Sequence, residues 1–316
     1  MQTALIAGGA GFIGSHLCKK LLLDGYKVIC VDSLITSSKS NIEEIVSNEN
    51  FKFLEKDVTE SLEVDDKIDF VFHLASPASP NKNSPKSFIN LPMETLMANS
   101  KGTHKLLELS KNHGAKFLFA STSEVYGNPE VSPQSERYFG NVNPNGVRSV
   151  YDESKRFGEA ITMAYFRKFG LDIRIVRIFN TFGPFMQKDD GRVVSNFVNK
   201  AIDNDALTIY GDGNQTRSLC FVDDMVEGIS LAMFTEGTKG EVVNLGNPDE
   251  RSVKDLADLI IKLANSSSKI SFEEGPEDDP QKRYPDISKA KKILNWEPKV
   301  SIEDGLLKTI EYFKNL

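Results

Sequence analysis

The sequence predicts an α/β fold: a doubly wound parallel sheet with a smaller C-terminal lobe. Three observations lead there. Short apolar runs bounded by turns alternate with helical stretches from the first residue, the pattern of strands covered on both faces. A glycine-rich turn joins the first such run to the first helix. After about residue 180 the alternation weakens and loops rich in Gly, Asn, Asp and Gln take over.

The elements follow in order. Thr3–Ala7 reads as a buried strand, residues 8–11 as a turn and Phe12–Leu23 as an apolar helix. Further strands are expected at 27–31, ending at Asp32, and at 51–54, 70–74, 117–120 and Ile173–Ile178. Long helices are expected at 85–112 and 151–169. Beyond 180 come a strand at Leu207–Tyr210 and helices at 223–234, 252–264 and 302–313, with Ser252 as a candidate N-cap. We divide the chain at 180, with later segments returning to the first unit; residues 181–316 form mainly the second lobe.

Composition narrows the function classes. The 316 residues carry 38 Lys and Arg against 45 Asp and Glu, a net charge of -7. An acidic chain without a basic block gives no support to nucleic-acid binding. No apolar stretch nears the ~18 residues that span a bilayer, and the start lacks the charged and small-residue signals of a secretory leader. Cys18, Cys30 and Cys220 are odd in number and widely spaced, as reduced core residues in the cytosol would be. The four histidines, at 16, 73, 104 and 113, are dispersed, so no metal site is expected.

The turn Gly8-Gly9-Ala10-Gly11-Phe12-Ile13-Gly14 contains GxGxxG between strand and helix. Glycines let the backbone approach a pyrophosphate, and the helix N-terminus offers N–H donors and a positive dipole end. Asp32, ending the second strand, can accept from ribose hydroxyls and would repel a 2′-phosphate, which favours NAD over NADP. Asp57 and Val58 close the third strand, where Asp57 either meets the adenine or is an ordinary strand-end Asp.

Tyr151 and Lys155 form YxxxK at a helix start, which puts both side chains on one helix face. An isolated Tyr is a poor base, its pKa lying near ~10. A neighbouring ammonium and a positive nicotinamide ring would lower that value. The pair would otherwise be an ordinary surface pair, but the glycine turn upstream and Ser121-Thr122-Ser123-Glu124 at the fifth strand end argue for chemistry.

Together these motifs resemble the extended short-chain dehydrogenase/reductase superfamily, a Rossmann-type fold whose members act on nucleotide sugars. The finer resemblance is to the UDP-glucuronate decarboxylases. It rests on residues 73–80 (HLASPASP), 121–127 (STSEVYG), 177–184 (RIFNTFGP), 190–197 (DGRVVSNF) and 278–283 (DDPQKR), spread over nearly the whole chain. The resemblance implies NAD bound by Gly8, Gly11, Phe12, Ile13, Gly14, Asp32, Asp57, Val58, Leu74, Ala75, Ser76, Ala120, Tyr151, Lys155 and Thr181. It implies a UDP-sugar held by Asn180, Gly191, Arg192, Val193, Ser195, Tyr210, Arg217 and Arg283. It also implies a homodimer through a helix bundle.

By that resemblance Tyr151 is the base at the C4 hydroxyl, supported by Lys155, with Thr122 orienting the oxygen. Glu124 and Arg283 bracket C5 and C6, Arg283 acting in protonation of C5. Ser123 stands where a 4,6-dehydratase carries its Asp acid. Loss of CO2 from a 4-keto acid needs no acid for a leaving hydroxyl, so UDP-glucuronate going to UDP-xylose is the expected reaction. A 4-epimerase, a dehydratase, release of the 4-keto pentose and an NAD-bound regulatory protein remain the alternatives. Met97 and Phe185 replace a Lys and an Arg of the family, which would leave the substrate carboxylate to Arg283.

Overall fold

The computed structural model describes residues 1–273 and 283–316. Its first strand, β1 (Thr3–Ala7), sends Ala4 and Ile6 into the core on one face of a sheet and Leu5 and Ala7 into the core on the other. That two-sided burial follows from the period of two along a strand.

The elements that follow are α1 (Phe12–Leu23), β2 (Lys27–Asp32), β3 (Phe51–Glu55), β4 (Phe70–His73), α2 (Pro92–Met97), α3 (Thr103–His113), β5 (Lys116–Thr122), α4 (Ser149–Phe169) and β6 (Ile173–Ile178). Then come β7 (Thr181–Phe182), α5 (Val193–Asp203), β8 (Leu207–Tyr210), β9 (Thr216–Ser218), β10 (Cys220–Phe221), α6 (Val222–Phe234), β11 (Val242–Leu245), β12 (Glu250–Ser252), α7 (Val253–Ala264), β13 (Ile270–Glu273), α8 (Ser288–Leu294) and α9 (Ile302–Lys314).

Seven strands form the central sheet in the order β11-β6-β5-β4-β1-β2-β3, every neighbouring pair parallel. The order reverses between β1 and β4. In such a sheet the crevice beyond the strand ends at that point is the ligand site. Leu17 and Leu21 of α1 and Met225 and Ile229 of α6 cover one face; Leu106 and Leu107 of α3 and Tyr165 of α4 cover the other. The lobe pairs β8 with β13 and β9 with β12, and packs Phe197, Leu256, Ile260 and Ile310 into the same core as α1 and α6.

One expectation needs correction. The helix expected at 85–112 begins only at Pro92, which occupies its first turn, where a missing N–H costs least. Asn90 and Ser87 tie the preceding segment into turns, and Ala98–Gly102 is a π-helical turn before α3 begins. Most strand connections are helical, but β2 to β3 carries a short 3-10 helix (Lys39–Ile45) instead. The strand β11, too short to show a period, is absent from the expected elements; it lies beyond 180 and belongs to the central sheet. Ser252 is the N-cap expected: its hydroxyl accepts from Asp255 N–H at 3.0 Å.

Candidate active site

The glycine turn leaves no room for side chains. A Cβ on Gly14 would lie 2.1 Å from the Gly8 carbonyl oxygen, and one on Gly8, at φ +80°, would lie 2.7 Å from the Ala75 backbone. The first turn of α1 has no side-chain cap, so its N–H donors remain for a ligand. Beside it opens a cavity of about 320 Å³, lined by Gly8, Gly11, Asp32, Asp57, Val58, Leu74, Ala75 and Ser76 among others. Ile35, Met93 and Met97 add half-exposed apolar walls to the same cavity.

Asp32 is anchored before any ligand arrives. Its Oδ2 accepts from Ala10 N–H at 2.9 Å, and its Oδ1 accepts from Leu34 N–H at 2.9 Å and the Ser37 hydroxyl at 2.7 Å. Asp57 lies past the end of β3 rather than closing it, in a turn where its Oδ1 accepts from Thr59 N–H at 2.7 Å. Phe12, Ile13 and Gly14 open α1, Ala120 lies in β5, and Thr181 turns its hydroxyl onto the Phe179 carbonyl at 2.9 Å.

The chemistry-bearing residues converge where β5 ends and α4 begins. Thr122 caps the short 3-10 helix Ser123–Tyr126, accepting from Glu124 N–H at 3.2 Å. Tyr151 is buried and stacks on Phe88 with ring centroids 5.0 Å apart. Burial pushes its phenol up to about 12, while the Arg192 charge and the Thr122 hydroxyl pull it back. Lys155 donates to the Ala120 carbonyl at 2.8 Å, and burial brings its ammonium down to about 7. Both groups are desolvated, which disfavours both charged forms; the ammonium and nicotinamide ring expected to favour the phenolate act against that burial. The guanidinium of Arg192 is the leading opposite charge on Tyr151.

Glu124 is held by two cations. Its Oε2 accepts from Arg148 at 2.6 Å and from Arg283 at 2.7 Å, and their charges hold the carboxyl at about 2 against burial. Arg283 is itself buried and also donates to the carbonyls of Ser123, at 3.0 Å, and Gly127, at 2.8 Å. The preceding residues of that motif, 278–282, lie outside the described residues.

Arg192 is the N-cap residue of α5 and donates to Asp190 at 3.1 Å and the Ala78 carbonyl at 2.8 Å. Gly191 precedes it at φ +84°. Val193 opens the helix, and Ser195, wholly buried, donates back to the Arg192 carbonyl at 3.0 Å. Asn180 follows β6, its carbonyl accepting from Cys220 N–H at 2.9 Å. Tyr210 ends β8, about half exposed, and Arg217 lies in β9.

Residues 4–246 match the model of the NAD dependent epimerase/dehydratase family. The chain belongs to that family. It is 50% identical to UDP-glucuronic acid decarboxylase 1 of Xenopus tropicalis over 98% of its own length and 72% of the relative's. It is 48% identical to UDP-glucuronic acid decarboxylase 3 of Arabidopsis thaliana over 96% of its length and 86% of the relative's. Among solved structures, the UDP-glucuronic acid 4-epimerase of Bacillus cereus, in complex with UDP-glucuronic acid and NAD, superposes with a TM-score of 0.88 at 31% identity, covering 99% of each chain.

The dinucleotide cleft suits the NAD on which this family depends. The uncapped α1 terminus fits a pyrophosphate, anchored Asp32 a ribose, and the Met93, Met97 and Ile35 walls a flat base. Two substitutions look different in this setting. Met97 lines the dinucleotide cavity, and Phe185 packs on His16 and Tyr312 with ring centroids 5.1 and 5.2 Å away. Neither marks a cation missing beside Glu124, where Arg148 and Arg283 already converge.

Sequence reasoning missed Arg148, Asp152, Phe88 and Asn99. Arg148 and Asp152 stand four apart on α4, as Tyr151 and Lys155 do, and that spacing was the one available signal. Asn99 sits in the π-helical turn, buried, its side-chain N–H donating to Ser76, Thr95 and Ser154 while its side-chain oxygen Oδ1 has no partner among the described residues. Nothing in the residue pattern announces that turn.

Proposed function

We propose that the protein decarboxylates UDP-glucuronic acid to UDP-xylose, with NAD retained through the cycle. The carrying observation is the Glu124 carboxylate clamped by Arg148 and Arg283 beside Tyr151, with Ser123 in place of a second acid. Relatives about half identical over nearly the whole chain, named for this reaction, support the same reading.

Bound NAD supplies a hydride acceptor at C4. Tyr151 takes the C4 hydroxyl proton, Thr122 orients that oxygen, and Lys155, its ammonium 5.8 Å from the Tyr151 ring centroid, is assigned to support the phenolate. The resulting ketone is β to the C6 carboxylate, so the C5–C6 bond breaks and its electrons enter the carbonyl as an enolate. Arg283 and Glu124 face that end of the sugar, and Arg192 is assigned to the sugar-proximal phosphate. Asn180, Tyr210 and Arg217 are assigned to the diphosphate and uridine. C5 then takes a proton, and Tyr151 returns its proton to the C4 oxygen as that carbon regains the hydride that bound NAD would hold.

The Bacillus cereus likeness favours 4-epimerisation of the same substrate as the second reading. Incubation with UDP-glucuronate decides between them: CO2 and UDP-xylose are expected, whereas UDP-galacturonate without CO2 overturns decarboxylation. Free UDP-4-keto-pentose with reduced cofactor would mean that the cycle stops before re-reduction.

We assign a homodimer to the outer face of α3 and α4. Phe157 and Phe169 stand about half exposed on α4, beside a groove lined by His104, Glu108, Ala164 and Lys168. We place the protein in the cytosol; among the described residues no helix is long and apolar enough to cross a membrane.

A further inference from the structure

The proposed reaction consumes one proton. A carboxylate leaves as CO2, the C5–C6 electron pair passes into the enolate, and a new C5–H bond must form. The proton that Tyr151 removes from the C4 hydroxyl returns to that oxygen, so C5 needs a separate acid.

The residues that bracket C5 and C6 are poor acids. Glu124, held at about 2, is ionised at neutral pH. A guanidinium, with a pKa above ~12, does not release its proton there, which sets aside Arg148, Arg192 and Arg283. Lys155 is bound to the Ala120 carbonyl on the Tyr151 side.

Asp152 remains. It follows Tyr151 on α4, is 5% exposed, and its buried Oδ1 has no hydrogen-bond partner among the described residues. Arg148, the N-cap residue of α4 and four positions earlier, directs its guanidinium to Glu124. Among the described residues no cation forms an ion pair with Asp152. The charges bearing on it are Glu124 from the turn after β5, Arg283 from the segment before α8, and Arg148 and Glu153 from its own helix. A buried carboxyl without a partner is costly when ionised. Its environment, desolvation first and the Glu124 charge second, raises it to about 7.

We infer that Asp152 is the proton reservoir of this site: its carboxyl O–H passes a proton to a water molecule at the Glu124–Arg283 end of the sugar as that water gives one to C5, and the Asp152 carboxylate is reprotonated from solvent. The inference rests on the decarboxylation reading. It makes Asp152 a positioning and supply residue, distinct from the groups that touch the sugar.

The experiment uses NAD-loaded wild type, Asp152→Asn and Asp152→Glu with UDP-glucuronate, following CO2, UDP-xylose, 4-keto pentose and reduced cofactor. In Asp152→Asn we expect CO2 on the first turnover, then kcat lowered about 10- to 100-fold with KM within about threefold. Reduced cofactor should accumulate, the enolate that escapes appearing as 4-keto pentose once bulk water protonates it at C5, and Asp152→Glu should recover part of the rate. In wild type, the protonated fraction falls as pH rises through about 7, so the 4-keto share should rise between about pH 6 and about pH 8. That measurement needs no variant and stands even if Asp152→Asn misfolds. An Asn variant with kcat within about twofold of wild type and the wild-type pH profile overturns the inference alone. So does a pH-independent product ratio in wild type. Wild type that releases no CO2 overturns the decarboxylation reading and this inference with it.

Discussion

Arg283 donates to Glu124 Oε2 at 2.7 Å across 159 residues of chain, and the same oxygen accepts from Arg148. The guanidinium is almost fully buried. Removing one partner from a buried pair costs about 3 to 5 kcal/mol, because the other charge is left uncompensated. Arg283→Ala should therefore lower the urea midpoint markedly and cut turnover of UDP-glucuronate at least about 100-fold. Full turnover in that variant would show that Arg283 has no part in the reaction. A double-mutant cycle with Arg148→Ala should be non-additive, since both act on one carboxylate.

Tyr151→Phe keeps the ring that stacks on Phe88 and removes only the hydroxyl. The expected outcome is kcat lowered by about 10²- to 10⁴-fold with NAD still bound after purification. Equal activity in steady-state assays would exclude Tyr151 as the base.

Gly14→Ala would set a Cβ 2.1 Å from the Gly8 carbonyl, a backbone atom that cannot turn aside. NAD content, measured on the purified variant, should drop at least about tenfold, with a lower melting temperature. Normal cofactor content would mean that the turn relaxes without cost.

His73 is wholly buried; desolvation, helped by the Lys155 charge, holds its imidazole down to about 3. An unfolded chain protonates the same residue near ~6.5. Between those values the unfolded state carries a proton that the folded state lacks, so stability falls as pH drops through that window. The slope approaches about 1.4 kcal/mol per pH unit. Urea titrations of wild type and His73→Gln below pH ~6 should show a shallower acid loss in the variant; parallel curves would refute the assignment.

Phe157 is 49% exposed on α4. Phe157→Glu should convert a dimer to monomer in light scattering while leaving the melting temperature of the monomer fold near wild type. An unchanged mass would move the interface elsewhere.

Much of the site was legible in the residues because its parts are local. Gly8 to Gly14 and Asp32 occupy fixed offsets around one strand–turn–helix, and Tyr151 and Lys155 share one helix face. Such spacing carries its own geometry. For Met97 and Phe185, position along the chain does not say which wall a side chain faces: Met97 lines the cavity beside the glycine turn, and Phe185 packs on Tyr312.

What the sequence determined by itself was the parallel sheet, the dinucleotide turn and the tyrosine–lysine helix, since each follows from period, spacing and turn chemistry within a short stretch. Only the tertiary structure decided that Arg148 and Arg283 share the Glu124 carboxylate, that β11 joins the central sheet, and that the Asp152 Oδ1 is buried with no hydrogen-bond partner among the described residues. Charge pairing and desolvation depend on distances between segments far apart in the chain, and residue order does not encode those distances locally.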